Sequence, residues 1–116
     1  MDFMTAVKTC LNKYFTIEGR ASRSEYWWFG LFAVIAYIIG GTLDMVTLVP
    51  VFYMIAVLAL LAPSICAGIR RMHDKDKSGW WLLICFVPII GSLYILYLFV
   101  TPGTAGENRF GADPLA

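Results

Sequence analysis

Charge is scarce in this chain of 116 residues: Asp, Glu, Lys and Arg make up 15% of it, against 59% hydrophobic residues. A soluble domain ordinarily carries ~25% charged and ~45–50% apolar residues. A chain this short has much surface for its volume, so an ordinary soluble monomer could not hide the apolar excess. Lipid or a partner must cover it. Histidine is scarcer still, with His73 alone. Three cysteines, Cys10, Cys66 and Cys85, share no motif spacing, so a usual zinc site is excluded. Cys66 and Cys85 fall in apolar runs, where free cysteine behaves as a small hydrophobe. No serine, cysteine or second histidine stands at a nucleophile-like spacing. The neighbours His73 and Asp74 would project about 100° apart on a helix, a poor acid–base dyad. The sequence therefore predicts no catalytic residue, no metal site and no cofactor. Residues 1–20 contain Lys8, Lys13, Glu18 and Arg20 and no continuous apolar core, so no cleavable leader is expected. The first apolar run is expected to serve as its own insertion signal.

What the chain has in abundance is uncharged apolar sequence. Three runs, 26–43, 46–69 and 80–100, contain no charged residue. A run of about 18 or more such residues is long enough to cross a ~30 Å hydrocarbon core as a helix. These segments are apolar all round and lack the polar stripe of a core helix in a soluble protein. The expected fold is an all-α membrane protein forming one domain, with three transmembrane helices at 26–43, 46–69 and 80–100. Residues 1–15 add an amphipathic interfacial helix: Phe3, Met4, Val7, Leu11 and Tyr14 recur at helical spacing beside Cys10, with polar residues opposite. Asp44 and Met45 alone separate the first two runs, which predicts a tight hairpin. Residues 70–79 form a basic loop and 101–116 a polar tail, in which Pro102-Gly103 suits the centre of a type II turn.

With three crossings, the N-terminus and the basic loop share one side. That side holds Lys8, Lys13, Arg20, Arg23, Arg70, Arg71, Lys75 and Lys77, and the other holds only Arg109. Basic residues are retained in the cytoplasm on insertion, which predicts a cytoplasmic N-terminus and a periplasmic or exterior C-terminus. Ser22 to Glu25 reads as a capping box opening the first membrane helix. Trp27 and Trp28, and again Trp80 and Trp81, then fall at headgroup depth as interfacial anchors. Small residues such as Ala36 and Gly40, Ala59 to Ala67, and Gly91 suit close helix approach. Pro63 and Pro88 should free the carbonyls of Ala59 and Ile84 and kink their helices.

Three blocks carry a family resemblance: EGRASRSEYWWFGLF at 18–32, IRRMHDKDKSGWWLLICFVPIIG at 69–91, and GENRFGADP at 106–114. In this order they resemble the signatures of the bacterial family called domain of unknown function 805. Met72 and the Lys75–Lys77 stretch depart from its usual pattern. The resemblance implies a small multi-pass protein of the bacterial inner membrane, with a topology and no assigned mechanism.

The candidate functional residues are the charges expected at the cytoplasmic face: Arg20, Arg23, Glu25, Arg70, Arg71, His73, Asp74, Lys75 and Lys77. They are expected to contact anionic lipid headgroups, at roughly 1 kcal/mol per basic residue, or to dock a protein partner or further copies of the chain. Within that face, Glu25 should pair with Arg70 or Arg71, and Asp74 with Arg20 or Arg23. A structural, interaction or accessory protein is the reading that fits, and the chain is not expected to be an enzyme. The alternative is a component of an oligomeric small-solute transporter or channel. It is disfavoured because ion-coupled carriers bury ionisable residues in their spans and these runs have none. Nucleic-acid binding has no support, since the basic residues lie against the bilayer.

Overall fold

A computed structural model describes residues 2–114 of the chain, and among these the regular structure is helical. Helix α1 runs Phe3–Asn12, α2 Arg23–Thr47, α3 Phe52–Asp74 and α4 Ile90–Val100, with a 3-10 helix at Gly79–Phe86 between α3 and α4.

Helices α2 and α3 are long and apolar enough to cross a membrane. At 25 and 23 residues, they extend roughly 37 and 34 Å at 1.5 Å per residue. They pack as an antiparallel hairpin. The break between them falls later than Asp44, at Leu48 to Val51. Leu48 takes a left-handed conformation and Pro50 follows, a pairing that ends α2. Asp44 is therefore no loop residue. From inside α2 its carboxylate accepts the Phe52 and Tyr53 amides at 2.7 and 3.2 Å, capping the otherwise free N-terminus of α3. Gly40 lets the two helices close: a Cβ there would lie 3.0 Å from the Phe52 carbonyl oxygen and the Tyr53 Cα.

Helix α1 starts on Asp2, whose carboxylate accepts the Thr5 amide at 2.8 Å. It buries Ala6, Val7 and Cys10 rather than Met4 and Leu11, which stay exposed. Phe3 meets Trp28 edge-on at 5.9 Å. The turn after α1 brings the Tyr14 hydroxyl to the Ala59 carbonyl. This is the acceptor that Pro63 leaves without its helical partner, because proline has no N–H to offer four residues on.

The run 80–100 does not form the single helix its composition predicts. Pro88 divides it. Val87 is forced extended at φ −80°, ψ 111°, as a residue before proline prefers. Ile89 then takes φ 65°, ψ −62°, and the Ile90 amide closes on the Pro88 carbonyl at 2.7 Å. This is a γ-turn of the strained hand, unusual for a β-branched residue. The 3-10 helix of 8 residues and α4 of 11 residues each extend only about 16 Å, at ~2.0 and ~1.5 Å per residue. Each is about half a hydrocarbon core, and together they form a hairpin that returns to its starting end.

The tail consequently lies where the basic loop lies, not at the opposite end of the bundle. Nor does Pro102-Gly103 make the expected type II turn, which needs positive φ at the glycine. Among the described glycines that conformation belongs to Gly19, Gly106 and Gly111.

Candidate functional site

The charged residues of the N-terminal approach, the end of α3 and the tail converge at one end of the bundle. Arg20, Glu25, Arg70, Arg71, His73 and Asp74 are all buried there, Arg70 and Arg71 completely. Burying an ionised group without partners is prohibitively costly, so the local geometry must supply acceptors.

Ser22 caps α2, accepting the Glu25 amide at 3.2 Å. The reciprocal half of the capping box is not made. The Glu25 carboxylate turns away from the cap and takes an ion pair with Arg70. Asp74, at the end of α3, accepts on both oxygens: Arg20 at 3.0 Å and Arg71 at 2.6 Å. The expected pairs Glu25–Arg70 and Asp74–Arg20 are thus both present. Arg23 takes no carboxylate and donates instead to the Val100 carbonyl at 3.1 Å.

Three buried guanidinium groups face two carboxylates, and the surplus is met by backbone carbonyls. Arg71 donates through Nη2 to Phe99 at 3.0 Å and Thr101 at 2.5 Å. The Phe99 oxygen belongs to the last turn of α4, where unpaired carbonyls carry partial negative charge, and Thr101 is the residue that caps that end. Trp27 adds its indole N–H to the same Phe99 carbonyl at 3.0 Å. Arg20 reaches further along the tail, to the carbonyls of Thr104 at 2.5 Å, Gly106 at 2.6 Å and Gly111 at 3.3 Å. Lys75 binds the Thr101 hydroxyl and the Pro102 carbonyl, both at 2.8 Å. Burial, with Arg71 nearby, pulls its ammonium below the usual lysine range.

The tail is shaped to receive these donors. Asn108 and Gly111 exchange amide hydrogen bonds across a tight turn, and Gly111 uses a φ of 137° there. The turn lays Phe110 flat on His73, with ring centroids 4.0 Å apart and planes 2° from parallel. The Asn108 amide group donates to the His73 carbonyl at 2.9 Å, and the Thr104 amide to that of Asp74 at 2.7 Å. Gly103 passes so close to Asp74 that a Cβ would overlap the carboxylate. Outside the cap, Arg109 pairs with Asp76 at 3.3 Å in solvent, where such a bridge contributes little.

Six of the nine charged candidates are therefore buried and directed inward. Arg23 is exposed, and Lys75 and Lys77 are half-buried. Lys77 sits 5.0 Å over the Trp81 ring. All four tryptophans keep an exposed surface. Residues that sequence reasoning passed over complete the site: Cys10, Gly103, Asn108 and Phe110. The Cys10 Sγ lies 3.9 Å from Arg70 Nη2, and burial, with Glu25 nearby, raises its thiol above the usual range. A thiol so placed is a poor nucleophile. The surplus of arginine over carboxylate was the available signal for the tail carbonyls.

The arrangement acts as a clamp that holds the returning hairpin. No solved structure matches the chain. Among known sequences, the chain is 42% identical over 109 residues to the inner membrane protein YhaI of Escherichia coli K12, covering 90% of each chain. It is 38% identical over 113 residues to the inner membrane protein YhaH of the same strain, covering 90% of this chain and 91% of YhaH. The uncharacterised protein YiiR, from the same strain, is 27% identical over 130 residues, covering 85% and 86%. The model of the family described as protein of unknown function (DUF805) matches residues 14–112, the whole span from Tyr14 through α2, α3 and the clamp to the tail turn. A small bacterial inner-membrane protein with apolar helices and these signatures, the chain belongs to the DUF805 family.

Proposed function

We propose that this protein is a non-catalytic scaffold of the inner membrane, an accessory or interaction protein that crosses the bilayer twice. Its third apolar segment enters from the cytoplasmic side, turns at Pro88 and leaves on the same side. The N-terminal helix, the cap and the tail then all face the cytoplasm.

One observation carries this reading: Arg20, just before α2, and Arg71, in the last turn of α3, hold carbonyls between residues 99 and 111. A tail on the far side could not meet them. The reading also gathers every basic residue, including Arg109, on a single side, a stronger bias than three crossings allow. Because the buried arginines are engaged internally, contact with anionic headgroups or a partner falls to the outer rim, chiefly Arg23, Lys77 and Lys8.

Paired reporters test the topology. A cytoplasm-active reporter fused after Ala116 should be bright, and a periplasm-active one inserted between Leu48 and Val49 should be bright too. A bright periplasmic reporter after Ala116 would mean that the third segment crosses, and the clamp reading would fall. Purification in mild detergent tests the function. A membrane partner should be recovered at fixed stoichiometry and lost in Arg23→Glu/Lys77→Glu. Recovery of the chain with lipid alone removes the partner.

A further inference from the structure

The re-entrant hairpin does not seal against α3. A cavity of about 450 Å³ opens between them, walled by Ile65, Ile69, Leu83 and Trp80. A second, of about 420 Å³, shares Ile65 and Leu83 and continues to Phe86 near the turn of the hairpin. Each is the size of a small-molecule site, and the shared residues make them neighbouring parts of one apolar trough. In a bilayer such a trough does not stay empty, and its lining decides what fills it.

In the first cavity the polar side chains sit at the cap end, His73 and Ser78; the second adds Tyr26 and Ser64 to its lining. The orientation of the imidazole is fixed. Its Nδ1 lies 2.9 Å from the Gly19 carbonyl, which can only accept, so Nδ1 carries the proton, and Phe110 covers one face of the ring. In the neutral ring of that tautomer Nε2 is an acceptor. Apart from His73, no ionisable side chain lines the first cavity, and the second adds Tyr26 and Cys85, neither of them a cation. Lys77 is drawn to Trp81 and Lys75 to Thr101 and Pro102. An anionic headgroup would find no cation in the lining, and an apolar chain alone would leave Nε2 without a donor.

We infer that the trough binds an uncharged lipid with a hydroxyl head and a long apolar tail, the hydroxyl donating to His73 Nε2 beside Ser78 and the tail lying along Ile65 and Leu83 toward Phe86. This goes beyond the scaffold reading. It rests on that reading only for the hairpin being immersed in lipid, and no protein partner enters it.

Trp80, in the wall of the trough, reports occupancy. The full chain is placed in phosphatidylcholine nanodiscs and titrated with 9,10-dibromostearyl alcohol, whose bromines quench indole fluorescence. Its methyl ether, identical but without the donor hydroxyl, and a dibromostearoyl phosphatidylglycerol are titrated in parallel. The alcohol should quench at about ten-fold lower mole fraction than the ether, the upper worth of one neutral hydrogen bond. That difference should vanish in Trp80→Phe, which removes the reporter, and in Leu83→Phe, which narrows the trough from an exposed position without touching the cap. Equal quenching by alcohol and ether would overturn the proposal, leaving a trough filled by bulk lipid. So would a preference for the phosphatidylglycerol, which would make the rim an anionic-headgroup site. Both results can occur with the tail reporters still cytoplasmic, so this inference can fail while the scaffold reading stands.

Discussion

Arg70→Met in the detergent-solubilised protein should cost about 3–5 kcal/mol, because it strands a carboxylate where water cannot reach it. The Arg70 side chain is fully buried and that of Glu25 is 5% exposed. Cys10 Sγ, the other group within reach of Arg70, is a weak acceptor at 3.9 Å. Arg70 Nε has no partner at all. Neither charge has a substitute, so Glu25→Gln should cost a comparable amount by stranding the guanidinium. Removing both charges removes both penalties. Arg70→Met/Glu25→Gln should therefore lie within about 1–2 kcal/mol of the parent, since buried pairs are often replaced by apolar residues at little net cost. The double-mutant cycle then returns a coupling of about 4 kcal/mol or more, beyond the ~0.5–3 kcal/mol that contacting residues usually show. Reversible denaturant unfolding in micelles, followed by tryptophan fluorescence, reads all four species. Single substitutions costing below ~1 kcal/mol and adding within ~0.5 kcal/mol would refute the reasoning. That is the signature of a solvated surface bridge.

Two further outcomes follow from the same geometry. Gly103→Ala should overpack the Asp74 carboxylate and cost about 1–3 kcal/mol; hydrogen exchange should show the Thr104 amide losing protection while the amides of α2 and α3 keep theirs. Asp44→Ala should remove the side-chain acceptor for the Phe52 and Tyr53 amides and cost about 1 kcal/mol, read by denaturant unfolding and by faster exchange at those two amides.

Much of this molecule is legible from residue order. The first apolar run falls within α2 and the second, from Phe52 onward, within α3; Ser22 marks the start of α2, and the opposite charges at 20–25 and 70–74 meet as pairs. Pro63 announces its unpaired carbonyl, though not that Tyr14 would take it. The third run misleads for a physical reason. An apolar segment that crosses and one that turns back at mid-depth expose the same side chains to the same lipid, so composition cannot separate them. Only the position of Pro88 near the middle of the run carried that information. The tail was opaque for a different reason. Its role is played by backbone carbonyls from Leu98 to Gly111, and every residue has one. Asp44 looked like punctuation because a charge between apolar runs usually ends a helix, whereas here it faces the neighbouring helix across the hairpin.

The clamp also orders events in time. Arg20 and Arg71 leave the ribosome before the tail carbonyls that satisfy them. The segment 80–100 has no charge of its own to specify where it rests. Until residues 98–111 emerge, nothing recorded in the chain prevents it from sliding across the bilayer, and the waiting guanidinium groups must stay with water and headgroups. If the third segment is re-entrant as proposed, its placement is fixed only after residues 98–111 have been made, not as it enters the membrane. A lesion in the tail turn would then surface as a misplaced hairpin in the segment just before it.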